Sequence, residues 1–295
     1  MMPDWIRVRY SEGRAGPVAD YIERNGVVTV CEGAACPNRW TCYANGELTF
    51  MILGQRCTRR CGFCGVSGGV PEDIDRRECR TVLDAVQWLG ADYAVVTSVT
   101  RDDLPDGGAG QFAEVIGSLR EMGCRVEVLV PDFRGDETSI GTVLGAGPDV
   151  VGHNMETTAD LYPAIRPMSD YAVGLSVLET IKRRDSDMPT KSGFMLGLGE
   201  SMIGVKGLMQ DIRSTGCDML TIGQYLRPSP ENVEVREYVR PEVFGMLEEY
   251  AYSLGFRAVR SSPLSRSSFD AREMWMRAAN SRTFYRGEQE KEDIC

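Results

Sequence analysis

The sequence predicts an α/β fold built on a parallel sheet, and three observations carry that prediction. From about residue 47, six short apolar or β-branched runs alternate with longer amphipathic segments, the rhythm of repeated strand–helix units. Several amphipathic segments end at a glycine (Gly90, Gly123 and Gly216), as helices do where the chain turns through a left-handed residue. A chain of 295 residues, 42% hydrophobic and 26% charged, is also long enough for one large domain with a substantial core.

The expected strands are ELTFMIL, YAVVTSV, RVEVLVP, DVVGHN, SGFMLGL and MLTIGQYL, beginning near residues 47, 93, 125, 149, 192 and 219. Between them, CRTVLDAVQWLG, QFAEVIGSLREMG, ETSIGTVLGAG, YAVGLSVLETIKRR and SMIGVKGLMQDIRSTG carry helical periodicity. Six such units imply a parallel sheet, open or curled into a barrel. In either form, ligands bind in the loops that leave the C-terminal ends of the strands. Residues 1–46 read as an N-terminal extension with a helix over ADYIERNG, and residues 47–255 as the barrel. Residues 256–295 read as a C-terminal extension whose last stretch, SRTFYRGEQEKEDIC, is exposed or frayed.

Composition excludes several classes. A net charge of -10 argues against a general nucleic-acid surface, leaving Arg59 and Arg60, or Lys182, Arg183 and Arg184, for smaller anions. No apolar run approaches the roughly 18–20 residues of a membrane span. The opening MMPDWIRVRYSEGRAG does not read as a secretory signal, so a cytoplasmic protein is expected. Of ten cysteines, six crowd between residues 31 and 64, which without an export signal points to metal rather than disulfides.

Those six form two triplets. Cys31, Cys36 and Cys42 stand in CEGAACPNRWTC, and Cys57, Cys61 and Cys64 stand in CTRRCGFC, in the loop after the first strand. A structural zinc site takes four ligands in two close pairs, and neither triplet supplies them. Three thiolates on a cubane cluster leave one iron open to another ligand.

The spacing CxxxCxxC, with the aromatic Phe63 before its last cysteine, resembles the signature of the radical S-adenosylmethionine enzymes. That resemblance implies a [4Fe–4S] cluster whose open iron chelates S-adenosylmethionine, and whose electron cleaves the sulfonium to a deoxyadenosyl radical. Taken alone, CTRRCGFC also fits a zinc knuckle or half of a ferredoxin. The stretch GFMLGLGE, with Gly193, Gly197 and Glu200, resembles the GxIxGxxE pattern of the fifth strand in these barrels, which passes along the adenine; a packing role for its glycines stays open. Asn154 and Glu156, at the end of the fourth strand, are the candidates for contact with the cofactor ribose.

With the first triplet added, the chain is similar to the lipoyl synthases from Val30 to Ala271. The matching segments are FMILGQRCTRRCGFC, VVTSVTRDDLPDGGA, VEVLVPDFRGD, HNMET, TKSGFMLGLGE, LTIGQYLRPS and SRSSF. The resemblance implies a partial (β/α)6 TIM-like barrel with short extensions carrying an auxiliary cluster. By motif position Cys57, Cys61 and Cys64 would hold the radical-generating cluster, and Cys31, Cys36 and Cys42 a second [4Fe–4S] cluster consumed as sulfur donor. Its fourth ligand would be a serine of the motif Arg266, Ser267, Ser268, Phe269; Ser268 is favoured and Ser267 held in reserve. The implied reaction inserts two sulfur atoms, at C6 and C8, into an octanoyl-lysine on a lipoyl-carrier domain. Electrons would come from a donor such as a ferredoxin or flavodoxin, and the chain would act as a monomer without nucleic-acid or membrane partners.

Other residues keep two readings. His153, the only histidine, is a hydrogen-bond partner near the site or a satisfied structural residue. Lys191 neutralises the methionine carboxylate or a cluster, or is a solvated lysine before a strand, and Arg227 has the same status. Arg101, Asp102 and Asp103 are expected to pair structurally. Trp40 shields the auxiliary cluster or packs its loop. Cys124 and Cys217 are expected to be small buried hydrophobes, and no role is inferred for Cys79 or Cys295.

The chain departs from the family's usual text at PNRWTC, GFCGV, Gly152 and Phe269, and none of these removes a proposed ligand. The alternatives are a paralogous sulfur-inserting radical enzyme, a non-enzymatic iron–sulfur electron carrier and a zinc-stabilised module.

Overall fold

The computed structural model describes residues 2–7 and 14–280. Its centre is one sheet of seven parallel strands hydrogen-bonded in sequence order: β1 Thr49–Ile52, β2 Tyr93–Ser98, β3 Arg125–Leu129, β4 Val150–Gly152, β5 Thr190–Leu196, β6 Met219–Gln224 and β7 Ala258–Ser261. Parallel neighbours need a crossover, and the helices Glu78–Leu89, Ala109–Glu121, Glu137–Gly145, Tyr171–Arg184, Met202–Ser214 and Pro241–Ser253 provide it. Asp136, Asp170 and Ser201 cap three of these by accepting backbone N–H bonds from Ser139, Val173 and Gly204. Gly90, at φ 67°, ends the first. Strand residues such as Val126 and Val128 pack with helix residues Phe112, Ile116 and Leu119 in one buried cluster.

The six expected strands are present, and the sheet has a seventh inside the stretch expected to be a C-terminal extension. β7 escaped the sequence reading because AVRS offers only two apolar residues before an arginine. The helix Pro241–Ser253, which opens on a proline, was also not anticipated. The expected N-terminal helix runs Ala15–Asn25 and stops at Gly26, φ 64°. The first cysteine triplet falls on two short helices, Val30–Gly33 and Arg39–Asn45, and the turn between them. The expectation for SRTFYRGEQEKEDIC, with Cys295, lies outside the described residues. Among the described residues no helix is long and apolar enough to cross a membrane.

The edge strand β1 is covered. Met51 donates to the Val28 carbonyl at 2.9 Å and Thr29 bridges Phe50 in antiparallel sense, so the N-terminal segment lies along β1. Beyond β7 the chain crosses the barrel and turns into a helix over residues 271–280, whose Met274 and Ala278 pack on Val150, Met219 and Ala258. Arg260 of β7 pairs with Asp270 and Glu273 at the start of this helix.

Lys191 requires a correction. It is neither solvated nor poised for a ligand: only 2% exposed, it places Nζ 2.8 Å from Glu127 Oε1, while the Tyr93 hydroxyl donates to Glu127 Oε2 at 2.7 Å. A lysine before an apolar strand reads as solvent-facing, but the barrel interior supplies it with a buried carboxylate. Breaking a buried pair strands the remaining charge. Lys191→Met is therefore expected to destabilise the fold by about 3–5 kcal/mol, with Lys191→Met/Glu127→Met recovering most of the loss in urea unfolding. Weakened nucleotide binding at unchanged stability would instead restore the ligand-neutralising role.

Candidate functional site

After β1 the backbone turns through Leu53 and Gly54, at φ 69° and 90°, into the loop of CTRRCGFC. The loop closes on itself, since Cys57 donates its N–H to the Ser67 carbonyl and accepts from Gly69, both at 2.9 Å. It is then pinned across the barrel mouth: Gly62 donates to Ile165 at 2.8 Å, Val233 donates to Gly62 at 2.9 Å, and the Asn232 amide donates to the Cys64 carbonyl at 2.8 Å. Two N–H groups, of Arg59 and Thr100, point at the Cys57 sulfur at 3.4 and 3.3 Å, and one, of Val66, at the Cys64 sulfur at 3.4 Å.

The N-terminal triplet is brought alongside. Thr29 caps the helix carrying Cys31, Cys36 donates to the Cys31 carbonyl at 3.0 Å, and Asn38 Nδ2 donates to the Leu264 carbonyl at 2.6 Å. That last bond ties the triplet to the loop of Ser267 and Ser268. Gly65 lets the two cysteine loops touch: a Cβ there would stand 3.2 Å from the Ala34 backbone and 3.1 Å from Pro228.

A cavity of about 320 Å³ opens among these loops, and Cys31, Cys36, Cys57, Cys61, Cys64, Ser267 and Ser268 all line it. Cys42 stands behind Cys31 and Cys36, close enough for their charges to act on it. All six thiols are free. Burial pushes Cys31 up to about 11 and Cys64 up to about 12, and it raises Cys42 further, with Cys31 and Cys36 adding to the effect. Burial also raises Cys61, against the opposing pull of the Arg166 guanidinium. Thiols crowded this way ionise only with a strong cationic partner, as iron provides. Among the described residues no three His, Cys, Asp or Glu side chains converge as ligands of a single ion. Thiols distributed around a cavity fit a cluster, whose ligands attach to separate metal corners.

Of the residues expected to contact a cofactor, Phe63, Asn154 and Glu156 line the cavity. Glu156 holds φ 69°, an uncommon conformation for a non-glycine residue, and burial raises its pKa while Arg166 opposes the rise. Four others do not line it. Glu200 folds back to accept N–H bonds from Gly197 and Leu198 at 2.6 and 2.9 Å, so it holds the turn after β5. Gly197, at φ 98°, makes room for Gln224, whose Nε2 would lie 2.2 Å from a Cβ. Gly193 has Asn154 Oδ1 and Ser267 Oγ each 3.1 Å from where a Cβ would be. Lys191 is committed to Glu127. Only Met195 of β5 reaches the cavity.

The two serines differ. Ser267 sits against the Asn154 amide, 2.7 Å from Nδ2 and 3.0 Å from Oδ1. Ser268 makes no such bond among the described residues and faces the same cavity as Cys31 and Cys36.

Sequence reasoning missed Arg166. It caps the single helical turn Tyr162–Ile165 beyond β4 and donates to the Asn154 carbonyl at 3.1 Å and the Tyr162 hydroxyl at 2.7 Å. Its Nε is buried without a partner among the described residues, as are Ser98 Oγ and His153 Nε2; all three residues line the cavity. The motif residue Arg266 also lines it, its guanidinium pKa lowered by burial near Cys36 and Glu156.

The remaining candidates are structural. Arg59 is buried in ion pairs with Asp102 and Asp132, so it is not free for an outside anion. Burial would raise Asp132, but the Arg59 hydrogen bonds and charge prevail and bring it to about 2. Arg101 pairs with Asp103 as expected; Lys182 pairs with Asp218, and Arg183 and Arg184 with Glu137. Arg227 donates to the Asn232 and Pro230 carbonyls of its own loop. Trp40 packs edge-on to Tyr43 under Arg39 and does not line the cavity. Cys79, Cys124 and Cys217 are buried and free.

Comparison with known proteins places these residues in context. The family model of the radical SAM superfamily matches residues 51–212. The lipoyl synthase of Caldanaerobacter subterraneus subsp. tengcongensis is 49% identical over 270 residues, covering 91% of this chain and 95% of that protein. The lipoyl synthase of Pyrobaculum aerophilum is 47% identical over 283 residues, covering 94% and 97%. The solved structure of methylornithine synthase (PylB) shares the fold, with a TM-score of 0.58 at 13% identity over 84% of this chain and 72% of that one.

His153 gives this site a pH signature. Nδ1 lies 2.9 Å from the Val130 carbonyl, which can only accept, so Nδ1 carries the proton and Nε2 is a bare acceptor. Burial, helped by Arg166, lowers its pKa to about 4. The folded value lies below the unfolded one, so the unfolded chain takes up the proton first. The stability is fully present above about pH 6.5 and is lost as pH falls towards 4, by about 3 kcal/mol. The single imidazole resonance should stay unshifted from pH 8 to 5 by NMR, and His153→Asn should flatten the stability slope in that window. Titration near 6.5 would contradict the buried, neutral ring.

Proposed function

The chain belongs to the lipoyl synthase family, within the radical SAM superfamily, and we propose that it inserts sulfur at C6 and C8 of an octanoyl group held on a lysine of a carrier domain. When bound, a [4Fe–4S] cluster with S-adenosylmethionine supplies radical hydrogen abstraction, and a second cluster supplies transferable sulfur. Cys57, Cys61 and Cys64 would hold the first, and Cys31, Cys36, Cys42 and Ser268 the second. Phe63, Asn154 and Glu156 would seat the nucleoside, and the unpartnered Nε of Arg166 suits the methionine carboxylate. The observation that carries this reading is that cysteines of both triplets and the hydroxyls of SRSSF open on one cavity.

The cavity's apolar wall suits the rest of the task. Met51, Val66, Val99, Leu129, Met195 and Leu226 offer an aliphatic chain a surface without hydrogen-bonding groups. Filling it with that chain excludes the water and polar hydrogens that would quench a carbon radical. Delivery of electrons by a ferredoxin or flavodoxin, action as a monomer and a cytoplasmic setting complete the proposal. Gly193, Gly197 and Glu200 serve it indirectly by shaping β5 and its turn.

The test uses anaerobically reconstituted protein, a reductant, S-adenosylmethionine and an octanoyl-lysine peptide, with mass spectrometry of peptide and nucleoside. The peptide should gain two sulfurs and lose two hydrogens as deoxyadenosine forms. Deoxyadenosine without sulfur on the peptide would replace this substrate by another aliphatic one, and no deoxyadenosine would favour an electron carrier. Ser268→Ala should abolish sulfur transfer, keep deoxyadenosine formation and alter the Mössbauer parameters of the second cluster. The same pattern in Ser267→Ala, with Ser268→Ala unaffected, would transfer the ligand role to Ser267.

A further inference from the structure

The arginine pair inside CTRRC is divided between two environments. Arg60 is exposed with its stem over Gly68, whereas the Arg59 side chain is 5% exposed and every donor of its fork is used. Nε and Nη2 bind the two Asp102 oxygens at 2.8 Å each, Nη2 reaches Asp132 Oδ1 at 2.8 Å, and Nη1 binds Asp132 Oδ2 and Ser169 Oγ at 2.5 and 3.0 Å. Arg134 adds a bond to Asp102 at 3.1 Å, so two guanidinium groups balance two carboxylates.

This network lies next to one cysteine. Thr58 donates through Oγ1 and N to the Thr100 carbonyl, at 2.9 and 3.0 Å, and its Oγ1 accepts from the Asp102 N–H at 3.1 Å. The residues so fixed, Arg59 and Thr100, are the two whose N–H groups donate to the Cys57 sulfur. Cys57 thus has two backbone donors and Cys64 one.

We propose that Arg59 is a positioning residue: its ion pairs with Asp102 and Asp132 hold the two N–H donors on the Cys57 sulfur, and through them set the reduction potential of the cluster that Cys57 helps to bind. This rests on the ligand role proposed above for Cys57. Hydrogen bonds to ligating sulfur stabilise the extra negative charge of the reduced state and so raise the potential. An ion pair that only braced the loop would contribute stability and leave the potential alone. Lysine keeps the charge at position 59 but cannot reach both carboxylates with a planar fork.

The experiment is an EPR-monitored redox titration of the full-length reconstituted chain, following the signal that changes when S-adenosylmethionine is added. Arg59→Lys and Thr58→Val are each expected to make that cluster about ten-fold harder to reduce at a fixed potential, a shift of about 59 mV to more negative values for a one-electron couple. Arg60→Lys should leave the potential unchanged. Unchanged potentials in Arg59→Lys and Thr58→Val proteins that retain the cluster would overturn the inference, even with a lowered melting temperature. Should Arg59→Lys retain no iron, Thr58→Val decides alone. An unsubstituted chain with no such signal would instead sink the ligand role of Cys57.

Discussion

Seven parallel strands leave two unpaired edges, and the segments that flank the sheet fix where its chemistry sits. An exposed edge presents backbone N–H and C=O groups that invite foreign pairing. Here the segment before β1 lies along one edge through Val28 and Thr29, which sets Cys31 just beyond the barrel mouth. After β7 the chain passes over the mouth with Ser267 and Ser268 before descending into the helix at residues 271–280. The Asn38 bond to Leu264 joins the two flanking segments. Ser268 and Cys31, far apart in sequence, therefore line one cavity because the segments that flank the two ends of the sheet are tied together at its mouth.

Charge follows the same economy of placement. In a chain of net charge -10, several positive groups near the mouth are buried among acidic or thiol partners. Arg59 neutralises Asp102 and Asp132 beside the cysteine loop, while Arg166 and Arg266 stand among Cys36, Cys61 and Glu156. Against the desolvation of its burial, Tyr162, Glu156 and Cys61 hold the Arg166 guanidinium charged, whereas burial lowers the Arg266 pKa. The neutral His153 contributes an acceptor without adding charge.

Much of this was legible in the sequence, for reasons that also explain the failures. β1 to β6 stood out because strands covered on both faces read as continuous apolar runs. β7 is as parallel as the rest, but its four residues include Arg260, which faces Asp270 rather than solvent. The cysteine triplets were readable because the members of each lie within a dozen residues of one another in the sequence. Roles that depend on which way a side chain turns were not: Glu200 accepts from its own turn, and Lys191 finds Glu127 across the barrel. Arg166 follows β4 by more than ten residues that hold only one helical turn, Tyr162–Ile165, too short for a periodicity to signal direction. The break before Pro167 was its only local mark.

Gly193 shows how a motif glycine can matter without touching a ligand. Its missing Cβ leaves room for Asn154 and Ser267 to meet, and a methyl group there would stand 3.1 Å from both. The Asn154 amide therefore connects the end of β4 to the loop that carries Ser268. That pair, with the Asn38 bond to Leu264 and the close approach of Gly65 to Ala34, ties the walls of the cavity together. A reaction that must place one carbon first beside a hydrogen acceptor and then beside a sulfur needs that spacing to be rigid, because misplacement by even an ångström is costly in rate. The glycine of the fifth strand thus supports the chemistry by allowing two polar side chains to lock.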